Sequence, residues 1–307
     1  AEGSIPINGI SSEIKFLNHY KKFYFISILL ILISIFSLFN KGLNLGIDFK
    51  GGTIIEMQFE KSFSANKIRS VLLNQNLGDI KVKEFGDNKT FLAILEKKSG
   101  DANFIPSIKS SLVKSLNMEI NFRRVEMVGP KISKELTQSG IYAVLIALIL
   151  MLFYIWLRFE WQFSLGAILA LCHDVVLTLG AFSIINFEFN LSIIAAVLTI
   201  VGYSMNDTVV IYDRIRENLK KDETIEILDL INNSINETLP RTLKTSITTL
   251  LALIAIYFFG GEILKGFSFA LIWGVIVGTY SSIFIASPLI LIFKVKRDWN
   301  EVVDTTP

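Results

Sequence analysis

The chain has 307 residues, of which 51% are hydrophobic and 19% charged, and its net charge is +2 at pH 7. A mean hydropathy of +0.52 and so little charge set it apart from soluble globular domains, where about a quarter of residues are charged. A pI near 8.5 is too mild a basicity to argue for a nucleic-acid partner. The single cysteine, Cys172, sits inside an apolar run and excludes an internal disulfide. These features describe an integral membrane protein.

Residues 1–22 form a polar segment with Lys15, Lys21 and Lys22 ahead of the first apolar run, Phe23–Phe39. Its opening, AEGSIPINGI, has no starting Met, which fits a truncated or added N-terminus. The first run follows lysines, as the core of a signal peptide does. It is longer than such a core, however, and leads into NKGLNLGID rather than a small-residue cleavage site, so it is expected to be an uncleaved anchor.

Residues 40–137 have a different pattern. GTIIEMQF suits a strand, and FSANKIRSVLLNQNL has helical spacing with Ser64 or Asn66 near its start. DIKVKEF and KTFLAILE alternate as strands around Gly86-Asp87-Asn88. DANFIPSIKSSLVKSLN is a second helix and EINFRRVEMV a last strand. The order βαββαβ predicts a ferredoxin-like α+β domain with two helices on one sheet face and the other face free for a partner or substrate. GIDFKGG, with Gly46, Gly51 and Gly52, fits no phosphate loop and predicts a turn into the first strand. The only histidines, His19 and His173, lie elsewhere, so the domain holds no histidine metal cluster.

Residues 138–293 hold five more runs near the 20 residues that cross a bilayer core: Gly140–Leu157, Phe163–Ile185, Leu191–Tyr212, Leu243–Phe259 and Phe267–Phe293. Lysine and arginine gather before the first span, at Arg158, at Arg214, Arg216, Lys220, Lys221, Arg241 and Lys244, and at Lys294, Lys296 and Arg297. The opposite connections, NFEFN and GGEILKG, are poor in positive charge. This asymmetry predicts both termini, the loop 213–240 and the tail 294–307 in the cytoplasm, with the 40–137 domain external. Ile227, Leu228, Ile231 and Ile235 predict an amphipathic helix in that loop, lying on the membrane or on the bundle.

Charges inside the spans are the functional signal. Asp207 falls about 24 Å along a helix starting at Leu191, where an aspartate costs at least about 2.5–3.5 kcal/mol at the centre of a helix. Thr199 and Tyr203 share its face. Arg241 opens the fifth span beside Pro240, which suits a first helical turn, and Thr245, Thr248 and Thr249 lie on the same side. At similar depth Arg241 would pair with Asp207. His173 and Asp174 fall mid-way along the third span and offer either a proton relay toward Asp207 or an interhelical hydrogen bond. Adjacent in sequence, they are expected to point in different directions. Gly274, Gly278, Ser282 and Ala286 form a small-residue stripe for close helix packing.

Seven segments, LGIDFKGGT, VEMVGPKISKEL, HDV, VGYSMNDTVVIYDRIREN, TLPRTLKTSITTLL, FGGEILKGFSFAL and GTYSSIFIASPL, occur in the order they have in the SecF family. Over about Leu45 to Pro288 the chain resembles that family, the membrane subunits that pair with SecD beside the bacterial Sec protein-export channel. The resemblance implies a polytopic α-helical protein of resistance-nodulation-division (RND) type: a half bundle of six transmembrane helices pairing with six from SecD. It implies use of the proton motive force in late stages of export, residence in the bacterial inner membrane, and no hydrolytic chemistry or cofactor. The coupling ion is the proton or Na⁺. Implied partners are SecD, the SecYEG channel and the exported preprotein, with YajC and YidC as further candidates. The family's proton-conducting aspartate and arginine fall on Asp207 and Arg241, with Asp213 a second acidic candidate on the same helix. Pro240 and GPKISKEL depart from the usual pattern, the second in a segment expected to link to the second span. Three rival readings have distinct signatures. A small-molecule exporter of the superfamily would carry two six-helix halves, and an intramembrane aspartyl protease would carry GxGD. A passive scaffold would use Asp207–Arg241 only for packing.

Overall fold

The computed structural model describes residues 14–75, 77–96, 103–221, 224–293 and 295. Most of the predicted terminal segments 1–22 and 294–307 lies outside them, as do Asn76, Asp101 and Ala102 of the two predicted helices. Among the described residues six helices are long and apolar enough to cross a membrane: Phe16–Asn40, Pro130–Arg158, Trp161–Ile185, Leu191–Lys221, Ile227–Phe259 and Ile263–Ile292. The chain is a multi-pass helical membrane protein.

After a short 3₁₀ turn, Phe16–His19, helix α1 spans Tyr20–Asn40. The two-residue strand β1 (Asn44–Leu45) and one helical turn, α2 (Ile47–Lys50), lead into the α+β domain. Its elements are β2 (Gly52–Gln58), α3 (Ala65–Leu73), β3 (Ile80–Phe85), β4 (Asp87–Leu95), α4 (Phe104–Leu116) and β5 (Asn121–Val128). The sheet order β3-β4-β2-β5, antiparallel throughout, is the split βαβ arrangement. Ile55, Met57, Phe91 and Ala93 on one face close over Ile68 and Leu72 of α3 and Ile108 and Leu112 of α4. Ser64 takes the N-cap position of α3. The β3–β4 turn is held by Gly86 at φ +83° and by Asp87, whose Oδ1 accepts the N–H groups of Lys89 and Thr90 at 3.1 and 2.7 Å.

The membrane part follows as α5 (Pro130–Arg158), α6 (Trp161–Ile185), β6 (Glu188–Phe189), α7 (Leu191–Lys221), α8 (Ile227–Phe259), α9 (Glu262–Ser281), a π-helical turn at Ser282–Ala286 and α10 (Ser287–Ile292). In α6, α7 and the last span, 56%, 50% and 61% of the most apolar window is buried, against 17%, 11% and 17% in α1, α5 and α8. The first three therefore make the core of the bundle, and the others present wide apolar faces outward.

Four sequence expectations change here. Pro130 sits in the first turn of α5, so GPKISKEL is helix rather than linker. The predicted loop 213–240 is largely helix, because α7 runs to Lys221 and α8 begins at Ile227. Pro240 consequently lies inside α8, where the helix forgoes its N–H bond to the carbonyl of Asn236. The amphipathic segment takes one of its two expected places, on the bundle, since Leu230, Ile231 and Ile235 join Leu17, Phe163 and Tyr212 in one buried cluster. Finally, NFEFN contributes a strand, as β6 pairs in parallel with β1. Leu45 of β1 and Phe49 of α2 thereby pack with Phe182 of α6, Ile193 of α7 and Ala270 of α9. Ile14 and Leu17 bond to Asn236 and Asn232 at 3.1 and 3.0 Å at the other end.

Candidate functional site

Asp207, in the fifth turn of α7, is 2% exposed. Its Oδ2 accepts one long contact, 3.5 Å from the Thr279 hydroxyl on α9. Thr279 Oγ1 lies 2.9 Å from Ser246 Oγ on α8, and Ser246 is 3.5 Å from the hydroxyl of Tyr203 on α7. A hydroxyl carries one hydrogen. If Thr279 donates to the carboxylate, Ser246 must donate to Thr279 and Tyr203 to Ser246. Three helices thus converge on one carboxylate through hydroxyls in series, geometry suited to passing a proton. Tyr203 is reached as the sequence predicted, although through Ser246. Thr199 instead donates to the carbonyl of Ala195 at 2.8 Å. Thr245 and Thr248 likewise bond within α8, and among the described residues neither they nor Thr249 hydrogen-bonds to Asp207.

Arg241 is exposed, with no ion pair joining it to Asp207 among the described residues. The expected Asp207–Arg241 bridge is therefore not formed in this chain, because Arg241 turns outward on α8 while Thr242 and Ser246 turn in. Asp213 is also separate. It pairs with Arg158 at 3.2 Å across half-exposed side chains, tying α7 to the end of α5, within a rim that includes Arg214, Glu217 and Glu237.

His173 and Asp174 of α6 are 3% and 1% exposed. They were expected to point apart, yet His173 Nδ1 lies 2.9 Å from Asp174 Oδ1. Asp174 Oδ2 accepts the hydroxyls of Ser204 on α7 at 2.5 Å and Ser281 on α9 at 2.7 Å. The imidazole lies over the ring of Tyr280, with centroids 6.1 Å apart, while His173 Nε2 has no hydrogen-bond partner. Each neighbour of Asp174 is close in chain to one of Asp207: Ser204 precedes Asp207 by three residues, and Ser281 follows Thr279 by two. Any change of spacing between α7 and α9 is felt at both carboxylates.

The small-residue stripe makes that spacing tight. A Cβ on Gly278 would fall 2.9 Å from Ser204 Cβ, and one on Gly274 would fall 2.2 Å from Ile200 Cγ1. Ser282 and Ala286 begin and end the π turn, whose Ala286 carbonyl accepts the Tyr212 hydroxyl at 3.1 Å. Sequence reasoning missed Ser204, Ser246, Thr279 and Ser281, although all four sit inside segments it had singled out. Among the described residues no group of His, Cys, Asp or Glu is placed to hold a metal.

Comparison with known proteins bears on the whole chain. The family model described as "Protein export membrane protein SecD/SecF, C-terminal" matches residues 108–296, and that of the "SecD/SecF GG Motif" matches residues 36–62. A protein translocase subunit SecF of Calditerrivibrio nitroreducens is 45% identical over 295 residues, covering 93% of this chain and 96% of its own. One from Rickettsia akari is 44% identical over 295 residues, covering 95% and 96%. The crystal structure of SecDF from Thermus thermophilus superposes with a TM-score of 0.83 at 34% identity, over 95% of this chain and 40% of that one. A structure of SecDF in a super-membrane-facing form gives 0.71 at 35% identity over the same shares. The chain belongs to the SecD/SecF family of protein-export membrane proteins, on its SecF side.

Proposed function

We propose that the chain is the SecF-type half of a SecD–SecF pair that uses the proton motive force, or a sodium gradient, to promote late stages of protein export through the SecYEG channel. In this reading the α+β domain is external to a bacterial inner membrane and both termini are cytoplasmic. The positive residues support that orientation: Lys15, Lys21, Arg158 and Arg214 gather at the end opposite the domain. YajC and YidC are further partners, and the chain has no hydrolytic chemistry or cofactor of its own.

The observation that carries this reading is Asp207: a carboxyl group 2% exposed within a spanning helix, with one contact as long as 3.5 Å. A carboxylate kept only for packing would be expected to have more hydrogen bonds than this. Arg241, with no ion pair among the described residues, is free to approach when the SecD-type half changes the outer packing of α8. Proton uptake at Asp207 would release that attraction and favour a second packing. Each charge crossing the membrane supplies about 2.3 kcal/mol per 100 mV, enough to bias a two-state bundle. His173–Asp174 belongs to the same device as a second protonatable site between α6, α7 and α9. Asp213, on the rim with Arg158, has a structural role in this reading.

The test is export into inverted membrane vesicles carrying Asp207→Asn together with the SecD-type partner, with and without an imposed proton gradient. Loss of the gradient's acceleration with normal complex assembly is the expected result. Undiminished acceleration would leave Asp207 a packing residue and overturn the proposal.

A further inference from the structure

The GIDFKGG segment was expected to be a simple turn, yet together with β1 just before it, it makes three separate attachments to the stretch Glu188–Leu191 that leads into α7. First, β1 pairs with β6, and Gly46 N–H donates to the Phe189 carbonyl at 2.9 Å. A Cβ at Gly46 would meet Glu188 Oε1 at 2.9 Å, so the two chains lie as close as glycine allows. Second, Phe49 packs on Phe189 with centroids 5.9 Å apart. Third, Asp48 Oδ2 accepts the N–H of Leu191, the first residue of α7, at 2.9 Å.

The last bond is a helix cap supplied from 143 residues away. The helix already has a local cap, since Asn190 Oδ1 takes the Ser192 hydroxyl at 2.6 Å and the Ile193 N–H at 3.3 Å. The bond from Asp48 therefore does something the local cap does not: it fixes α7 to another part of the chain. On the far side of Asp48 there is no slack. Gly51 ends α2 at φ +72°, and Gly52, at φ +136°, begins strand β2. A Cβ on Gly52 would lie 2.6 Å from the Leu95 carbonyl oxygen, so only glycine fits. Gly52 pairs with Val128 of β5, and Thr53 with Leu95 of β4, immediately after the turn. Only the three residues Phe49, Lys50 and Gly51 thus separate the α7 cap from a central strand of the sheet, and α7 continues as one helix to Asp207.

We propose that Asp48 is a positioning residue, and that the segment Gly46–Gly52 is a strut that makes the α+β domain and the helix carrying Asp207 move as one body. The part of this inference that concerns coupling rests on the proposed function; the strut itself does not.

The experiment uses the full chain with its SecD-type partner in lipid vesicles. Cys172 is replaced by Ala, and spin labels are placed at the exposed Ser110 of α4 and Thr199 of α7. Asp48→Ala is expected to speed amide exchange at Leu191 about fivefold, the factor for losing one cap of ~1 kcal/mol, and to broaden the 110–199 distance distribution. Asp48→Asn, whose carbonyl oxygen still accepts, should match the parent on both readings. Asn190→Ala should loosen Ile193 and leave the distance narrow. An Asp48→Ala protein with unchanged exchange and distance overturns the strut. So does an Asp48→Asn protein that behaves like Asp48→Ala, or an Asn190→Ala protein that broadens the distance as much. Gradient-driven export is then read on the same preparations. If Asp207→Asn keeps the gradient effect, the proposed function fails, while the strut still stands or falls on exchange and distance.

Discussion

Gly274 offers the most direct test of how tightly α7 and α9 are held. An alanine Cβ there would sit 2.2, 2.5 and 2.7 Å from Cγ1, Cδ1 and Cγ2 of Ile200, which is 1% exposed. Carbon pairs prefer about 3.5–4.0 Å, so each contact is short by roughly 1 Å. Ile200 cannot swing aside, because a β-branched side chain in a helix is locked near one χ1 rotamer. The helices must separate instead, and overpacking of this kind costs about 1–3 kcal/mol. Ile200→Ala alone leaves a void costing about 2–5 kcal/mol. In the double variant the added methyl group partly fills the void, so the two losses should fall short of their sum by at least ~1 kcal/mol. Unfolding of the four proteins in lipid nanodiscs measures the cycle. Export driven by a proton gradient, run in parallel, should fall in Gly274→Ala, because separation of α7 from α9 lengthens the Thr279–Asp207 and Ser281–Asp174 contacts. An additive cycle, within about 0.5 kcal/mol, or a neutral Gly274→Ala, would refute the packing argument.

Three other outcomes are expected. Burial pushes the Glu188 carboxyl above its ordinary range, with Asp48 adding to the rise and Lys83, Lys81 and Arg124 opposing it. The folded junction therefore holds its proton to higher pH than the unfolded chain, and its stability falls as pH rises from the ordinary carboxylate pKa through the folded value. Glu188→Gln should remove this dependence and slow exchange of residues 186–190 at pH 7.5 but not at pH 4. Asp213→Asn breaks only a half-exposed pair with Arg158 and should cost under about 1 kcal/mol, leaving gradient-driven export unchanged. Tyr212→Phe leaves the buried Ala286 carbonyl of the π turn without its partner and should cost about 1–3 kcal/mol in thermal unfolding.

Hydropathy made the six spans legible but could not say which of them are central. A helix face against lipid and a face against protein are equally apolar, so α5 and α6 look alike in composition and differ only in burial. His173, Asp174 and Asp207 stood out because their cost in a membrane is large. Their hydroxyl partners did not, since a serine or threonine in a helix can satisfy itself on its own backbone. Thr199, Thr245 and Thr248 do so, whereas Ser246 and Thr279 reach across to other helices. β1 and β6 are two residues each, too short for any periodicity, and the cap from Asp48 has no local signature. Pro240 misled because hydropathy starts the fifth span near Leu243. The helix starts earlier because Leu230, Ile231 and Ile235 pack on the bundle.

The adjacent pair His173–Asp174 allows a last distinction, between a carboxylate that sets the state of its neighbour and one that merely fills space. While Asp174 is ionised it can only accept, and the 2.9 Å contact then requires the hydrogen on His173 Nδ1. In Asp174→Asn the amide oxygen can still accept from Ser204 and Ser281, which turns its NH₂ group toward the imidazole. Nδ1 must then accept, and a neutral ring moves its hydrogen to Nε2. The substitution is isosteric and keeps every contact of Asp174, so the helices should assemble normally while the tautomer inverts. The chain has two histidines. Nitrogen-15 labelling of histidine in this chain alone, with His19→Asn as background, leaves one imidazole to observe by solid-state NMR in lipid. The parent should show protonated Nδ1 and Asp174→Asn protonated Nε2. Gradient-driven export should fall with the switch if the pair takes part in proton movement. An unchanged tautomer would mean that Asp174 does not govern the imidazole, and the second protonatable site would be lost from the mechanism, leaving Asp207 to act alone.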